Sequence, residues 1–168
     1  LFLTGISLGV LDVESRLGVF EAMRHVMENG GQVAFDVNYR PALWEDVAEA
    51  ASTLQIALGW STIALPGLDD MRQVFGANTP DAALRQLQSF GVQEAVVKVG
   101  SEGIHLSDGT HIPAENVEKV VDTTAAGDGF NGGYLAARMA GEPPDAAARK
   151  GQAVAAKVVQ FQGAIIPR

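Results

Sequence analysis

A short run of small residues that ends in a carboxylate is the part of the chain best suited to chemistry. It reads D-T-T-A-A-G-D from Asp122 to Asp128 and stands before a helical pattern. A helix that begins on small residues leaves several backbone N–H groups unpaired at the positive end of its dipole, and these groups can hold an anion. A carboxylate at the mouth of such a cradle suggests a base that takes a proton from a hydroxyl attacking a phosphate. The residues alone therefore indicate phosphoryl transfer, and helix capping by Asp128 is the alternative role.

A G-x-S-x-G motif over residues 5–9 suggests a second chemistry, in which a strand-to-helix elbow exposes Ser7 as a nucleophile. Asp36 and either His105 or His111 could complete the chain order of a hydrolase triad. Both histidines, however, fall in a predicted hairpin, away from where an elbow would present Ser7. A glycine-containing turn after an edge strand is therefore the favoured interpretation of this motif.

A G-x-G-x-x-G motif over residues 127–132 resembles the fingerprint of dinucleotide sites. Such a site also needs the motif in the first βα unit, with an acidic residue at a second strand's end about 20 residues further on. The nearest acids, Glu142 and Asp145, fall in a Gly-Pro-Pro turn between two predicted helices. The motif alone is weak evidence for NAD. The sequence contains no G-x-x-x-x-G-K-[ST], which argues against a P-loop enzyme.

The composition excludes several classes of function. Twelve Lys and Arg against 20 Asp and Glu give a net charge of −8, whereas nucleic-acid and anionic-membrane binders need clustered cations. Because there is no cysteine, the chain has no disulfide, thiolate nucleophile or cysteine-based zinc site. The uncharged residues 52–68 contain Gln55, Gly59 and Pro66, and are too short and broken to span a bilayer. We expect a cytoplasmic protein without a signal peptide.

Strand and helix patterns alternate along the chain, which is typical of βαβ units and a parallel sheet. Asp108-Gly109 between two short apolar runs predicts a hairpin. Strands are predicted over residues 1–3, 33–37, 61–65, 95–99 and 117–121. Helices are predicted over residues 17–27, 44–58 and 80–90, through residues 135–139, and from Pro144 to Gly163.

Several segments together resemble the ribokinase-like (PfkB-type) sugar kinases. Residues 122–133 are similar to that family's signature, D-T-x-G-A-G-D followed by a helix. Residues 36–44 (D-V-N-Y-R-P-A-L-W) are similar to the 2-keto-3-deoxygluconate kinase branch, as is Ala125 in place of the first glycine of the signature. Residues 97–103 resemble the nucleotide-site loop, and residues 160–164 resemble the closing segment. The similarity covers essentially the whole chain.

The resemblance implies roles for individual residues. Asp128 would be the base that deprotonates the sugar hydroxyl. The amides of Ala125, Ala126 and Gly127 would form the anion hole for the transferred phosphoryl group. The other implied contacts are Arg40 and Asp128 for the substrate, Asn38, Lys98, Gly100, Ser101, Glu102, Gly103 and Gln152 for the nucleotide, and Asp70, through water, for magnesium.

Two positions depart from the family pattern. Gly67-Leu68-Asp69-Asp70 stands at the family's N-x-x-E, so Asp70 is a shorter substitute and the asparagine is absent. This change affects how the magnesium ion is arranged. Ala125 costs little if its φ is negative, but more if the loop needs a positive φ.

The resemblance also implies the architecture. We expect an α/β protein with the ribokinase-like three-layer fold, in which a mostly parallel sheet has helices on both faces. Members of the family are longer, so residues 1–168 would be the C-terminal, nucleotide-binding part of one kinase domain, truncated at the N-terminal side. A sheet cut there would expose an apolar strand edge and favour self-association into a homo-oligomer.

The implied activity is ATP-dependent phosphorylation of a hydroxyl on a sugar or keto-sugar acid, with ATP and Mg²⁺ as cofactors. The favoured substrate is 2-keto-3-deoxygluconate, because the guanidinium of Arg40 can hold a carboxylate through two hydrogen bonds. The alternatives are a fructokinase- or ribokinase-type sugar kinase and a nucleotide-binding fragment without turnover. The partners expected are small molecules, and neither nucleic acid nor a membrane.

Overall fold

The computed structural model describes residues 1–166, and these residues form two compact units. The first unit comprises Leu1–Val97 and the second begins at Lys98. None of the helices in this described part of the chain is long and apolar enough to cross a membrane.

The first unit is built on parallel strands joined by helices, as the alternating pattern predicts. Its strands are β1 (Phe2–Thr4), β2 (Ala34–Asp36), β3 (Ile63–Ala64) and β4 (Glu94–Lys98), and each pairs in parallel with the next. Its helices are α1 (Gly5–Gly9), α2 (Val13–Glu28), α3 (Val47–Gly59), α4 (Leu68–Phe75) and α5 (Pro80–Ser89). Parallel strands need such crossovers, and their carboxyl ends meet at one edge, where open α/β sheets bind ligands.

The second unit consists of a hairpin and two long helices. The antiparallel strands β5 (Ile104–Leu106) and β6 (His111–Ile112) flank the predicted Asp108-Gly109 turn. The helices are α6 (Ala126–Met139) and α7 (Pro144–Val158). Their backbones lie close together, because a Cβ on Gly133 would stand 3.0 Å from the Cα of Gly151.

Some sequence-based expectations about local structure are wrong. Residues 117–121 form no strand. Instead, the amide of Val121 donates a 2.7 Å hydrogen bond to the carbonyl of Val159, just after α7. The last helix ends at Val158 rather than near Gly163. Helices α1 and α4 were not predicted, because both are too short for several turns of apolar spacing.

The G-x-S-x-G motif does not form a nucleophile elbow. Residues 5–9 are the helix α1, and the hydroxyl of Ser7 lies 3.4 Å from the amide of Thr4, which donates to it. Ser7 has no positive φ, whereas the elbow is a strained turn. Asp36, which the triad would require, is buried at the end of β2 and accepts a 3.3 Å hydrogen bond from the amide of Asn38.

Candidate active site

The predicted anion hole lies at the start of α6, and within the described residues two of its three amides donate no hydrogen bond. The N-cap residue is Ala125, and the helix begins at Ala126. Among the residues that the structure describes, the amides of Ala125 and Gly127 donate no hydrogen bond. The amide of Ala126 donates to the carbonyl of Thr123 at 3.1 Å, so it is already used in a turn. The open donors therefore flank Ala126 at the positive end of a 14-residue helix.

Ala125 adopts a left-handed backbone conformation, with φ 60° and ψ 11°. A non-glycine residue in this region is strained by about 1–2 kcal/mol, because its Cβ approaches the following carbonyl oxygen. Ala125 therefore has the positive φ at which alanine in place of glycine is unfavourable. Strain of this kind is concentrated at functional sites, where the surrounding structure holds it in place.

Asp122 holds the cradle segment in shape. One carboxylate oxygen accepts a 2.8 Å hydrogen bond from the amide of Thr124, and the other accepts a 2.9 Å hydrogen bond from the amide of Gly163. The hydroxyl and amide of Thr124, together with the amide of Gly163, hold the pKa of Asp122 below its ordinary value, because they stabilise the ionised form. Asp122 thus ties the start of the signature to the segment after α7.

Asp128 lies at the start of α6, and its role as the base stays a prediction. It is exposed in the first turn of α6, and in the described structure no side chain caps the start of that helix. Thr123 and Thr124 do not cap it either, although either could have done so. No hydrogen bond in the described structure therefore supports the alternative that Asp128 caps the helix. Asp128 belongs to the same first helical turn as the open amides of Ala125 and Gly127, and proton removal next to a phosphate needs a base near such donors.

A cavity of about 490 Å³ adjoins the cradle. Thr123, Ala126 and Gly127 form part of its wall, so the anion site and the cavity share residues. The rest of the wall is mostly apolar and suits an aromatic base. The other lining residues are Lys98, Gly100, Ser101, Gly103, Ile104, Ala114, Glu115, Asn116, Val117, Val120, Phe130, Gln152, Ala155, Ala156 and Val159.

The predicted nucleotide loop follows β4 and forms one wall of this cavity. Gly100–Glu102 is a 3-10 turn, and Gly100, Ser101 and Gly103 line the cavity. Glu102 does not line it, and its carbonyl oxygen lies 2.9 Å from Nε2 of His111. Gly103 has φ 102°, and a Cβ there would stand 2.1 Å from the carbonyl oxygen of Ile112. Only glycine therefore fits where the loop passes the hairpin.

Gln152 on α7 has a fixed orientation in the cavity wall. The residue is 7% exposed, and its Nε2 donates a 3.2 Å hydrogen bond to the carbonyl of Ile112. Ala155 and Ala156 also line the cavity, three and four residues further along the helix. This pair was not predicted from the sequence, although the i+3 and i+4 spacing from Gln152 places all three on one helical face.

Asn131 is a further residue near the cradle that was not predicted from the sequence. It is fully buried on α6, and its Oδ1 accepts a 3.0 Å hydrogen bond from Nζ of Lys98. The signal was its place four residues after Gly127, which puts both on the same face of the helix.

The predicted site residues of the first unit also lie together. Asn38 follows β2 with a positive φ of 33°, and the side chain of Arg40 is exposed. The amide of Tyr39, between them, donates a 3.1 Å hydrogen bond to the carboxylate of Asp70 in the first turn of α4. The structure therefore brings Asn38, Arg40 and Asp70 to the carboxyl end of β2. Whether they contact ligands stays a prediction.

The arrangement of metal-binding side chains suits an ion such as Mg²⁺, which needs few protein ligands, better than an ion that is bound by protein side chains alone. Within residues 1–166, no three His, Cys, Asp or Glu side chains cluster as a metal site. Mg²⁺ usually takes one or two carboxylates and completes its octahedron with phosphate oxygens and water. The role of Asp70 toward magnesium stays a prediction.

Comparison with known proteins shows the family of this chain. The model of the pfkB family carbohydrate kinases matches residues 2–168. The chain belongs to this family. The 2-dehydro-3-deoxygluconokinase of Escherichia coli K12 is 41% identical over the whole chain, and that of Dickeya dadantii is 40% identical over 99% of it. The chain spans 56% of the length of each of these relatives.

Solved structures of pfkB kinases and similar chains share the fold. Aminoimidazole riboside kinase from Salmonella enterica, in complex with aminoimidazole riboside and an ATP analogue, superposes with a TM-score of 0.86 at 30% identity. The match covers 97% of this chain and 57% of that one. An E. coli chain solved with ATP and Mg²⁺ gives a TM-score of 0.83 at 27% identity, covering 97% and 53%. The predicted ribokinase-like α/β fold is confirmed.

Proposed function

We propose that the protein is an ATP-dependent kinase that phosphorylates a hydroxyl group of 2-dehydro-3-deoxygluconate, the compound also called 2-keto-3-deoxygluconate. The observation that supports this proposal is the exposed residue Asp128 in the same first turn of α6 as the open amides of Ala125 and Gly127, next to a largely apolar cavity that Gly127 helps to line. Phosphoryl transfer needs an attacking hydroxyl, which the substrate supplies, together with a base and an anion cradle, which this chain would supply.

Each part of the site would have a separate task. The cavity would hold the adenine, and the open amides would stabilise the charge on the transferred phosphoryl group. Asp128 would take the proton of the attacking hydroxyl as the bond to phosphorus forms. Magnesium, when bound, would neutralise the charge of the nucleotide phosphates, and Asp70 is the carboxylate that the family resemblance assigns to it.

The choice of substrate rests on two supports. Two relatives at 41% and 40% identity are 2-dehydro-3-deoxygluconokinases. Arg40 is exposed at the carboxyl end of β2, and its Nη1 donates a 2.8 Å hydrogen bond to the carbonyl of Tyr39, which orients the guanidinium. A guanidinium so placed could hold the carboxylate of an acid sugar, which fructose and ribose lack.

The test is a phosphorylation assay with Mg-ATP and three acceptors: 2-dehydro-3-deoxygluconate, fructose and ribose. We expect product, detected by phosphorus NMR, with the acid sugar and far less with the others. Because the chain spans 56% of the E. coli relative, a chimera in which this chain replaces the matching part of that enzyme is assayed in parallel. A folded, nucleotide-binding chimera that prefers fructose or ribose would overturn the substrate assignment.

A second candidate is nucleotide binding without turnover. It is favoured by the fact that every residue lining the cavity lies at or after Lys98, so the second unit holds all of the cavity wall. Calorimetry with Mg-ADP on the 168-residue chain tests it. Binding without product in any of the three phosphorylation assays would support this candidate over the kinase.

A further inference from the structure

A buried arginine contacts the segment that leads from Arg40 to α3. Arg16 on α2 is 8% exposed, and a buried guanidinium is unfavourable unless it is paired and hydrogen-bonded. Its Nε donates a 2.9 Å hydrogen bond to the carbonyl of Leu8 in α1. Its Nη1 donates a 2.5 Å hydrogen bond to the carboxylate of Glu49 in α3. Arg16 therefore connects three helices of the first unit.

The same guanidinium lies over the indole ring of Trp44, with 4.8 Å between Cζ of Arg16 and the ring centroid. This is a cation–π contact, and tryptophan is the side chain that makes the strongest ones. Trp44 is 8% exposed, and within residues 1–166 its Nε1 has no hydrogen-bond partner. A buried N–H group without an acceptor is unfavourable, so a purely apolar side chain would avoid a penalty here. The contact with Arg16 is an interaction that favours tryptophan at this position nevertheless.

Trp44 is connected to Arg40 through a single turn of backbone. The 3-10 turn Pro41–Leu43 has Arg40 as its N-cap residue and Trp44 as its C-cap residue. The amide of Leu43 donates a 2.9 Å hydrogen bond to the carbonyl of Arg40, which closes the turn. The amide of Trp44 donates a 3.2 Å hydrogen bond to the carbonyl of Pro41. Fixing the indole ring therefore also restricts the backbone of Arg40.

Two further contacts hold the same turn. The second carboxylate oxygen of Glu49 accepts a 2.8 Å hydrogen bond from the amide of Glu45, directly after Trp44. A Cβ on Gly9 would stand 2.9 Å from the Cβ of Leu43, so α1 packs closely against the turn. The turn that follows Arg40 thus rests on α1 and α3, and the side chain of Arg16 contacts both of these helices.

We propose that Arg16 is a positioning residue that fixes Trp44 and the 3-10 turn, and thereby places Arg40 to hold the carboxylate of an acid sugar. This inference rests on the proposed function and adds to it the residue that aligns the substrate contact. Arg16 would act through Arg40 and not on the substrate itself. A purely structural role predicts a loss of stability alone, whereas positioning predicts a higher KM for the acid sugar with kcat and the KM for Mg-ATP unchanged.

The first measurement follows the turn itself, by amide hydrogen exchange on the 168-residue chain. We expect the amides of Leu43 and Trp44 to exchange about tenfold faster in Arg16→Met, because local opening of the turn becomes easier. Arg24→Met is the matched control, because Arg24 lies on the same helix in exposed ion pairs with Glu21 and Glu28. It should change neither rate. Unchanged rates in Arg16→Met, or an equal increase at the amides of α5, would overturn the inference.

The second measurement is the steady-state kinetics of the chimera with the E. coli relative. Arg16→Met should raise KM for 2-dehydro-3-deoxygluconate about 5–20-fold, less than the loss of Arg40 itself, because the guanidinium of Arg40 is misplaced but not removed. The value of kcat and the KM for Mg-ATP should not change, and Arg24→Met should leave all three values as they are. The double variant Arg16→Met with Arg40→Ala should lose no more than Arg40→Ala alone, because Arg16 acts through Arg40.

A second variant keeps the test decisive if Arg16→Met does not fold, which circular dichroism shows. Arg16→Lys keeps a positive charge beside Glu49, but an ammonium has no planar group to stack on the indole. It should raise the same KM by a smaller factor. An unchanged KM in both Arg16 variants, or additive losses in the double variant, would overturn the inference and leave the proposed function standing. A parent chimera that does not phosphorylate the acid sugar would overturn both together.

Discussion

The carboxylate of Asp122 accepts a 2.9 Å hydrogen bond from the amide of Gly163, 41 residues further along the chain. Its other oxygen accepts from the amide of Thr124 at 2.8 Å. The side chain therefore fixes the segment that leads into the cradle against the segment that follows α7. Because the two amides use both oxygens, an asparagine, which has one acceptor oxygen, cannot replace both hydrogen bonds.

This relationship predicts a pH-dependent stability. The pKa of Asp122 is lowered in the folded state, so its contribution to folding is present above the ordinary value of 3.8 and is lost as the pH falls through the folded-state value. Asp122→Asn should lower the melting temperature at pH 7, and the difference from the parent should shrink below pH 3.8. Glu118→Gln, an exposed change in the same segment, should show no such trend. A difference that is constant with pH would contradict the assignment.

The conformation of Ala125 predicts a stabilising substitution. Glycine has no Cβ and adopts a positive φ without strain, so Ala125→Gly should raise the free energy of unfolding by about 1 kcal/mol. The matched control is Ala136→Gly, at an exposed position inside α6, which should lower it by about 1 kcal/mol. Urea unfolding of the two variants measures both. Destabilisation by both changes would show that Ala125 is not strained.

Removing the proposed base should affect turnover alone. Asp128→Asn should reduce kcat about 10²–10⁴-fold, the range for loss of a general base. The melting temperature and the affinity for Mg-ATP should not change, because Asp128 makes no capping hydrogen bond. Asp145→Asn, in the first turn of α7, is the control for an acid at a helix start. A near-normal kcat in the chimera with the E. coli relative would remove Asp128 from the mechanism.

Arg40 should distinguish acidic from neutral sugars. Arg40→Ala removes a charge-assisted hydrogen bond worth about 1.5–3 kcal/mol, so KM for 2-dehydro-3-deoxygluconate should rise about 10–150-fold. KM for fructose, where measurable, should hardly change. Arg85→Ala, which removes an exposed arginine on α5, should leave both values unchanged. Equal increases for the two sugars would contradict a carboxylate contact at Arg40.

Gln152 should favour adenine over guanine. Its Nε2 is committed to the carbonyl of Ile112, which leaves the carbonyl oxygen of the side chain to accept a hydrogen bond. Adenine offers an amino group where guanine has an oxygen. Gln152→Leu should therefore weaken Mg-ADP binding by about 1 kcal/mol, the usual net value of one hydrogen bond, and leave Mg-GDP binding unchanged. Competition experiments with the two nucleotides measure this difference.

The sequence predicted the elements that repeat a clear pattern. Thr79-Pro80 was identified as a helix start, and in the structure the hydroxyl of Thr79 accepts from the amide of Ala82, as an N-cap does. The hairpin at Asp108-Gly109 was predicted in the same way, because its turn residues are a recognisable local pattern. Residues 117–121 contain three valines, as a strand would, but they form no strand, and the amide of Val121 donates to the carbonyl of Val159 just after α7. Local propensity cannot show where such hydrogen bonds go.

The site was predicted unevenly for a similar reason. Asp128 and the cradle follow from one contiguous motif, so the sequence could indicate them directly. The contact between Lys98 and Asn131 joins residues 33 positions apart, and no spacing rule links them. The sign of φ at Ala125 depends on what surrounds the loop, and the sequence analysis could state only the two cases.

The placement of the whole cavity wall at and after Lys98 has a genetic consequence. One uninterrupted stretch of chain supplies the cavity wall, the cradle and the hydrogen bonds of Asp122. Arg40 and Asn38 precede this stretch. A single recombination event near codon 98 would therefore transfer the cavity and the cradle together between related genes, while Asn38 and Arg40 stayed with the recipient. In this way related kinases could have exchanged their nucleotide sites during evolution while their sugar-binding parts diverged separately.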